Sequence, residues 1–146
     1  MRNSTYRLTT IGLPLALIVL LAGCTGNAAT AGPRVIEVTI DGYHFVPDHF
    51  IVHRGESVRF LVSNPDRMGH ELFIGTIEEQ AARRGTKGAS PTDAADVAHF
   101  GYGIYLPALT DGEFDYAFTN ESDLLIGCHI PGHWERGMVA TIDVEP

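Results

Sequence analysis

Apolar and polar residues alternate with a period of two along much of the chain after Arg34. Alternation of this kind is typical of β-strands that bury one face and expose the other. Turn residues such as Asp41-Gly42 and Asn64-Pro65 separate the alternating segments. The pattern predicts an all-β fold, a small antiparallel sandwich or barrel. The residues predicted to share the inward faces are Ile36, Val38, Ile40, Phe50, Val52, Val58, Phe60, Val62, Phe114, Tyr116, Phe118, Leu124, Ile126 and Cys128.

The middle of the chain does not follow this alternation. The segment from Ile77 to Gly85, IEEQAARRG, consists mainly of helix formers and ends in glycine, which predicts a short helix. The residues Ser90-Pro91-Thr92-Asp93 have the pattern of a capping box with proline at the first helical position. They predict a second short helix towards His99. We therefore expect a helical insertion between strands, around residues 77–100.

The first 23 residues have the features of an export signal. Two arginines and no acid precede an apolar run from Ile11 to Gly23, which is shorter than the about 20 residues that span a bilayer. The run ends in LAGC, Leu21 to Cys24, which resembles the lipobox of bacterial lipoproteins. In that family the cysteine becomes the lipidated N-terminus of the mature protein, which implies a signal peptide at 1–23 and a lipid anchor on Cys24. The alternative is an ordinary signal peptide followed by a chance cysteine.

After the leader we expect a flexible tether at 24–33 and one domain at 34–146. The chain has 10 Lys and Arg against 18 Asp and Glu, a formal net charge of −8. Loss of the two leader arginines, Arg2 and Arg7, changes this charge to −10. An acidic domain is a poor partner for nucleic acid, whose phosphates require basic surface. The acidity is compatible with attraction to a basic protein patch.

The C-terminal stretch CHIPGHWERGM, Cys128 to Met138, concentrates sulfur and imidazole groups. If Cys24 carries lipid, Cys128 has no disulfide partner, and metal ligation or simple burial would explain a lone thiol. Thiolate, imidazole and thioether suit copper and, less well, zinc, whereas calcium and magnesium prefer oxygen. One Cys, two His and a weak axial Met form a blue-copper site, so the loop would need a second His from elsewhere. The competing interpretation is a turn that contains these residues by coincidence.

This loop resembles the ligand loop of the cupredoxins, the family of azurin, plastocyanin, auracyanin and rusticyanin. Its spacing of four residues between Cys and His, and again between His and Met, matches the auracyanin and rusticyanin type. The upstream segment from Asp41 to Gly75 is similar to the first strands of the family and ends in GHELFIG, which carries His70. The resemblance implies a Greek-key β-sandwich that binds one type I copper. The implied copper ligands are His70, Cys128, His133 and Met138.

One residue departs from the azurin pattern. Glu71 follows the first histidine, where azurin has an asparagine whose side chain braces the site. That side-chain brace is therefore not expected here, but the backbone N–H of Glu71 remains able to donate to the sulfur of Cys128.

Several other residues are candidates for chemistry. A histidine directly after the cysteine carries electrons to a second copper site in multicopper oxidases and copper nitrite reductases, but the further histidines of a trinuclear cluster are missing here. We therefore expect His129 to be a solvent-facing loop residue. For Trp134, plain packing and a partner-facing surface remain equally open. We expect surface positions for His44, His49, His53 and His99, and the loop spacing favours Met138 over Met68 as the axial ligand.

The resemblance implies a protein that carries single electrons through Cu(II)/Cu(I), by way of the His133 edge, and that is not itself an enzyme. We expect unidentified redox partner proteins, a monomer, and a position outside the cytoplasm, in the periplasm or on the cell surface, with a lipid anchor in the membrane. The alternative is an envelope copper-binding protein that delivers or buffers copper. A third possibility is an electron-accepting subunit of an oxidase or reductase.

Overall fold

The computed structural model describes residues 32–85, 102–119 and 123–146. The predicted leader, Cys24, most of the predicted tether and the predicted second helix towards His99 lie outside these ranges. The one α-helix within them, α1, is Ile77–Gly85, as predicted, and a short 3₁₀ helix covers Trp134–Arg136. The strands are β1 (Arg34–Asp41), β2 (His44–Val46), β3 (His49–His53), β4 (Ser57–Asn64), β5 (His70–Gly75), β6 (Gly103–Leu106), β7 (Thr110–Ala117), β8 (Leu124–Gly127) and β9 (Val139–Glu145).

The strands form two sheets that share one hydrophobic core, which confirms the predicted β-sandwich. One sheet has the order β2-β1-β4-β7, and the other has the order β3-β9-β8-β5-β6. Every residue predicted to face inward belongs to the core or packs against it. The pairs β1/β4 and β3/β9 are parallel, whereas the prediction was an antiparallel sheet. A period-two pattern gives the same inward face whichever way a strand runs, so the sequence did not reveal this direction.

Strand β5 is buried along its whole length, unlike the strands that alternate. It pairs with β6 on one side and with β8 on the other, and α1 packs against both β5 and β8. The helix begins with a capping box, since the N–H of Glu79 donates to Thr76 Oγ1 and the N–H of Thr76 donates to Glu79 Oε2. Within the described ranges, no helix is long and apolar enough to cross a bilayer.

Candidate metal centre

Two elements and one loop bring the predicted ligands together. His70 is the first residue of β5, and Cys128 directly follows β8. His133 and Met138 lie on the loop from β8 to β9. The N–H of His133 donates to the carbonyl of Ile130 at 2.9 Å, and the N–H of Met138 donates to the carbonyl of His133 at 3.2 Å. These turns fold the loop back onto the end of β8, where the N–H of Cys128 donates to the carbonyl of Met138.

The four side chains form one compact, buried cluster. The ligand atoms of His70, Cys128 and His133 all lie within 4.8 Å of one another. Cys128 Sγ is 3.3 Å from His133 Nδ1, and Met138 Sδ is 3.3 Å from His70 Nδ1. His70, Cys128 and Met138 are fully buried, and His133 is 8% exposed. Among the described residues, no other cluster of three His, Cys, Asp or Glu residues has metal-binding spacing.

Asp66 sets the orientation of the His70 ring. The Nε2–H of His70 donates to Asp66 Oδ2 at 3.0 Å, which leaves Nδ1 facing the cluster. A carboxylate on the outer nitrogen of a ligating histidine fixes its tautomer and its direction. Asp66 was not predicted from the sequence, because it lies in a loop and its distance from His70 is set only when that loop folds.

The sulfur of Cys128 receives backbone hydrogen bonds. The N–H of Glu71 donates to it at 3.3 Å, as its position after His70 allowed. The Glu71 side chain turns away from the sulfur and forms a buried, two-pronged ion pair with Arg83 of α1, with N–O distances of 2.9 and 2.8 Å. The azurin-type brace from a side chain is therefore replaced by a charged pair. This pair was not predicted from the sequence, because a basic residue such as Arg83 is common in the last turn of a helix.

Burial controls the protonation of the cluster. It raises the pKa of the Cys128 thiol to about 12, although hydrogen bonds from the backbone of Glu71 and Ile130 oppose the rise. Burial also lowers the pKa of His70, although Asp66 opposes this shift. Burial lowers the pKa of His133 as well, and the proximity of the second imidazole, His70, and of the Arg136 guanidinium lowers it further. Without metal at neutral pH, the cluster therefore holds a thiol and two neutral imidazoles.

The prediction that His129 faces solvent is wrong. Its ring is partly buried, stacks on Trp134 with ring centroids 4.8 Å apart, and donates from Nε2 to Gln80 Oε1 at 2.6 Å. Burial and the charges of Arg83 and Arg84 lower the pKa of His129 to about 4. Trp134 packs between this ring and the guanidinium of Arg84, 4.8 Å from its centroid, which favours the packing interpretation. The error arose because α1, which covers this loop, is distant in sequence.

The other predicted surface residues agree with the structure. His44, His49 and His53 are exposed, and His49 pairs with Asp143 at 2.9 Å. His99 lies outside the described residues. Met68 is 41% exposed, whereas Met138 is buried against His70.

The chain is similar in sequence to two copper proteins. The chain is 36% identical over 123 residues to the copper-resistant cuproprotein CopI of Rubrivivax gelatinosus, a match that covers 84% of this chain and 72% of that protein. It is 27% identical to the copper-resistant cuproprotein CopI of Pseudomonas aeruginosa, over 92% of this chain and 97% of that one.

The chain belongs to the CopI family of cuproproteins. Its fold is that of the cupredoxins. It superimposes on auracyanin from Roseiflexus castenholzii with a TM-score of 0.64 at 17% identity, over 80% of this chain and all of that one. No protein-family model matches the chain.

The donor set of the chain fits one copper ion. Two imidazole nitrogens and two sulfurs are ligands of the softness that copper prefers, and the cluster presents no carboxylate oxygen. The acids nearest to it are engaged elsewhere, Asp66 with the outer nitrogen of His70 and Glu71 with Arg83. Copper is therefore the cofactor that both the family and the site support.

Proposed function

We propose that the protein is a type I blue copper protein that carries single electrons, with His70, Cys128, His133 and Met138 as the copper ligands. The observation that carries this proposal is the compact, buried cluster of donors supplied by two strands and one hydrogen-bonded loop. When bound, copper supplies a one-electron couple between Cu(II) and Cu(I). The protein holds the donors at fixed positions, so little rearrangement accompanies a change of charge. We propose no catalysed reaction and therefore no enzyme activity.

His133 is the proposed exit for the electron. It is the one cluster residue with measurable exposure, 8%, while the other three are buried at 0%. Its ring meets the edge of Tyr43 at 5.0 Å between centroids, and Arg136 lies over the Tyr43 ring at 4.6 Å. These contacts hold the ring in place, and we propose that a partner reaches the copper at the small exposed part of His133.

The charge around the site indicates the kind of redox partner. Three exposed arginines lie beside residues of the site: Arg67 is three residues before His70, Arg84 lies over Trp134 and Arg136 lies over Tyr43. None of the three makes an ion pair within the described part of the chain. The exposed Glu135 and the partly exposed Asp66 are acids in the same region, but the three arginines outnumber these two. We therefore propose an acidic partner surface at this end, although the chain as a whole is acidic.

Small redox reagents test this surface without a known partner. Oxidation of the Cu(I) protein by the anionic hexacyanoferrate(III) should slow when salt is added or when Arg136 is replaced by Gln. Both changes weaken the attraction between the reagent and the arginines of this surface. Arg54→Gln, in the turn after β3, is the matched control for loss of one positive charge. Equal slowing in the control, or no slowing in Arg136→Gln, would count against the surface.

Copper delivery or buffering is the second candidate function. It is favoured by the names of the two relatives, both described as copper-resistant cuproproteins. A delivery protein needs a site that opens to release its metal, whereas the donors here are buried and the exposed Met68 lies outside the cluster.

Chelator competition combined with redox titration distinguishes the two functions. An electron carrier should keep its copper in the presence of excess Cu(I) chelator through repeated reduction and oxidation. The visible absorption band of its Cu(II) form should return fully in each cycle. Loss of copper within the first reduced cycle would favour delivery.

The proposed location is outside the cytoplasm, with Cys24 as the lipid anchor of a monomeric domain. The LAGC junction at residues 21–24 supports the anchor. Cys24→Ala should move the protein from the membrane to the soluble fraction. If the variant stays in the membrane after a carbonate wash, the anchor is not Cys24.

A further inference from the structure

One face of α1 contacts the residue that follows each of three proposed copper ligands. Gln80, Arg83 and Arg84 are three and four residues apart, so they lie on the same side of the helix. Their contacts are His129, Glu71 and Trp134, which directly follow Cys128, His70 and His133. We call Gln80, Arg83 and Arg84 the α1 face.

The first contact fixes the backbone beside His70. Both Glu71 and Arg83 are buried, with side-chain exposures of 4% and 2%, and two hydrogen bonds join them. A buried ion pair with this geometry tolerates little displacement, because movement of either residue would leave a buried charge without a partner. Since the N–H of Glu71 donates to Cys128 Sγ, the same pair fixes the direction of that hydrogen bond.

The second contact joins the strands that carry His70 and Cys128. Gln80 Nε2 donates to the carbonyl of Phe73 in β5 at 3.2 Å and to the carbonyl of Leu125 in β8 at 2.8 Å. Its Oε1 accepts the 2.6 Å hydrogen bond from His129. One buried amide therefore bonds to β5, to β8 and to the residue after the cysteine.

The third contact depends on a glycine. Trp134 stacks on His129 and lies under Arg84, so its indole packs directly over the end of β8. A Cβ on Gly127 would be 2.5 Å from Gln80 Oε1 and 2.6 Å from the indole carbon Cζ3 of Trp134. The missing side chain allows the helix and the loop to reach the backbone beside Cys128.

We propose that the α1 face is a positioning element of the copper site, which holds the backbone beside three ligands and preorganises the donors before copper binds. It does not touch the donor atoms and acts through Glu71, His129 and Trp134. The inference rests on the proposed ligands and not on electron transfer, so it applies equally to a protein that delivers copper. It gives α1 a role beyond covering β5.

The test compares Gln80→Met with Val52→Ala in the copper-loaded protein. Methionine is similar in size to glutamine but cannot form its hydrogen bonds. Val52 is a buried residue of β3, the edge strand of the sheet that contains β5 and β8. Gln80→Met should release copper to a chelator about tenfold faster and broaden the visible and EPR spectra, since outer contacts of this kind change metal affinity by about 10- to 100-fold. Val52→Ala should lower the melting temperature without changing release rate or spectra. If Gln80→Met only lowers the melting temperature, the helix is a structural cover and the proposal is wrong.

A second variant is informative even if Gln80→Met does not fold. Arg84 is exposed, so Arg84→Ala should fold, and Trp134 is the single tryptophan of the chain. In the copper-free protein this variant should shift Trp134 emission to longer wavelength, and in the loaded protein it should change the reduction potential. Arg54→Ala removes one exposed charge as the control and should change neither. If the two variants are indistinguishable, the proposal is overturned.

Failure of the ligand assignment would give a different result. If the visible absorption band of the copper-loaded protein does not depend on Cys128, the copper is bound elsewhere and the α1 face has no ligand to position. The band of a Cys128→Ser variant therefore separates this failure from failure of the positioning role.

Discussion

The backbone N–H of Glu71 donates to the sulfur of Cys128 at 3.3 Å. Since Glu71 directly follows His70, this single bond joins the strand of one proposed copper ligand to the side chain of another. The Glu71 carboxylate is held by Arg83 on the opposite side. The donor cluster and α1 are thus parts of one continuous hydrogen-bond network.

Cys128→Ser should abolish the intense colour of the copper-loaded protein and leave the sandwich folded. The colour of a blue copper site arises from charge transfer from the thiolate, which serine cannot supply. Visible absorption and far-ultraviolet circular dichroism measure the two effects. His49→Ala is the control, since His49 is exposed on β3 and should leave the band unchanged. A band that persists in Cys128→Ser would show that the sulfur is not a ligand.

Replacements of Met138 should move the reduction potential in opposite directions. A thioether is a weak axial donor that favours the softer Cu(I). Met138→Gln supplies a harder oxygen and should lower the potential, whereas Met138→Leu removes the donor and should raise it. Copper should stay bound in both, because His70, Cys128 and His133 supply most of the affinity. A redox titration in which both potentials move the same way, or neither moves, would exclude Met138 as the axial ligand.

Copper binding at neutral pH should release about one proton for each ion bound. Burial raises the pKa of the Cys128 thiol to about 12, so the free protein carries this proton and must lose it to bind metal. The pKa values of His70 and His133 are lowered, so both rings are already neutral and release none. Affinity should therefore fall as pH decreases. Calorimetry in buffers of different ionisation enthalpy counts the protons, and a count of zero would contradict the buried thiol.

Asp66→Ala should weaken copper binding by about tenfold, because the outer nitrogen of His70 loses its carboxylate partner. Asp66→Asn keeps an acceptor oxygen at that position and should recover most of the affinity. Competition with a chelator of known affinity measures both. Equal losses in the two variants would mean that the charge of Asp66, and not its hydrogen bond, is what matters.

Gly127→Ala should lower the free energy of unfolding of the copper-free protein by about 1–3 kcal/mol, the usual range for overpacking. The added methyl group would meet Gln80 and Trp134 at 2.5 and 2.6 Å. Gly32→Ala, at a position with no neighbouring atom within 4 Å, is the control. Urea unfolding followed by circular dichroism gives both values, and identical stabilities would show that the contact relaxes without strain.

Local patterns in the sequence were sufficient to predict the sandwich and, with the cupredoxin resemblance, the four donors. Period-two alternation identifies the inward face of each strand, and helix formers ending at Gly85 identify α1, because both signals are local. The spacing of Cys128, His133 and Met138 is also local, since one loop carries all three. His70 was predicted only through the resemblance to the cupredoxins, because this residue lies on a separate strand.

The packing of the elements sets what surrounds those donors. Asp66 orients His70, Arg83 holds Glu71, and Gln80 covers His129, which the sequence placed in solvent. It also decided that β1/β4 and β3/β9 run parallel. Most of these contacts join residues that are distant in sequence, and the period-two pattern contains no information about them. Each contact depends on the distance between two packed elements. The helix α1 ends 43 residues before Cys128 but reaches the backbone beside it because Gly127 has no side chain, and only the packed fold reveals this contact.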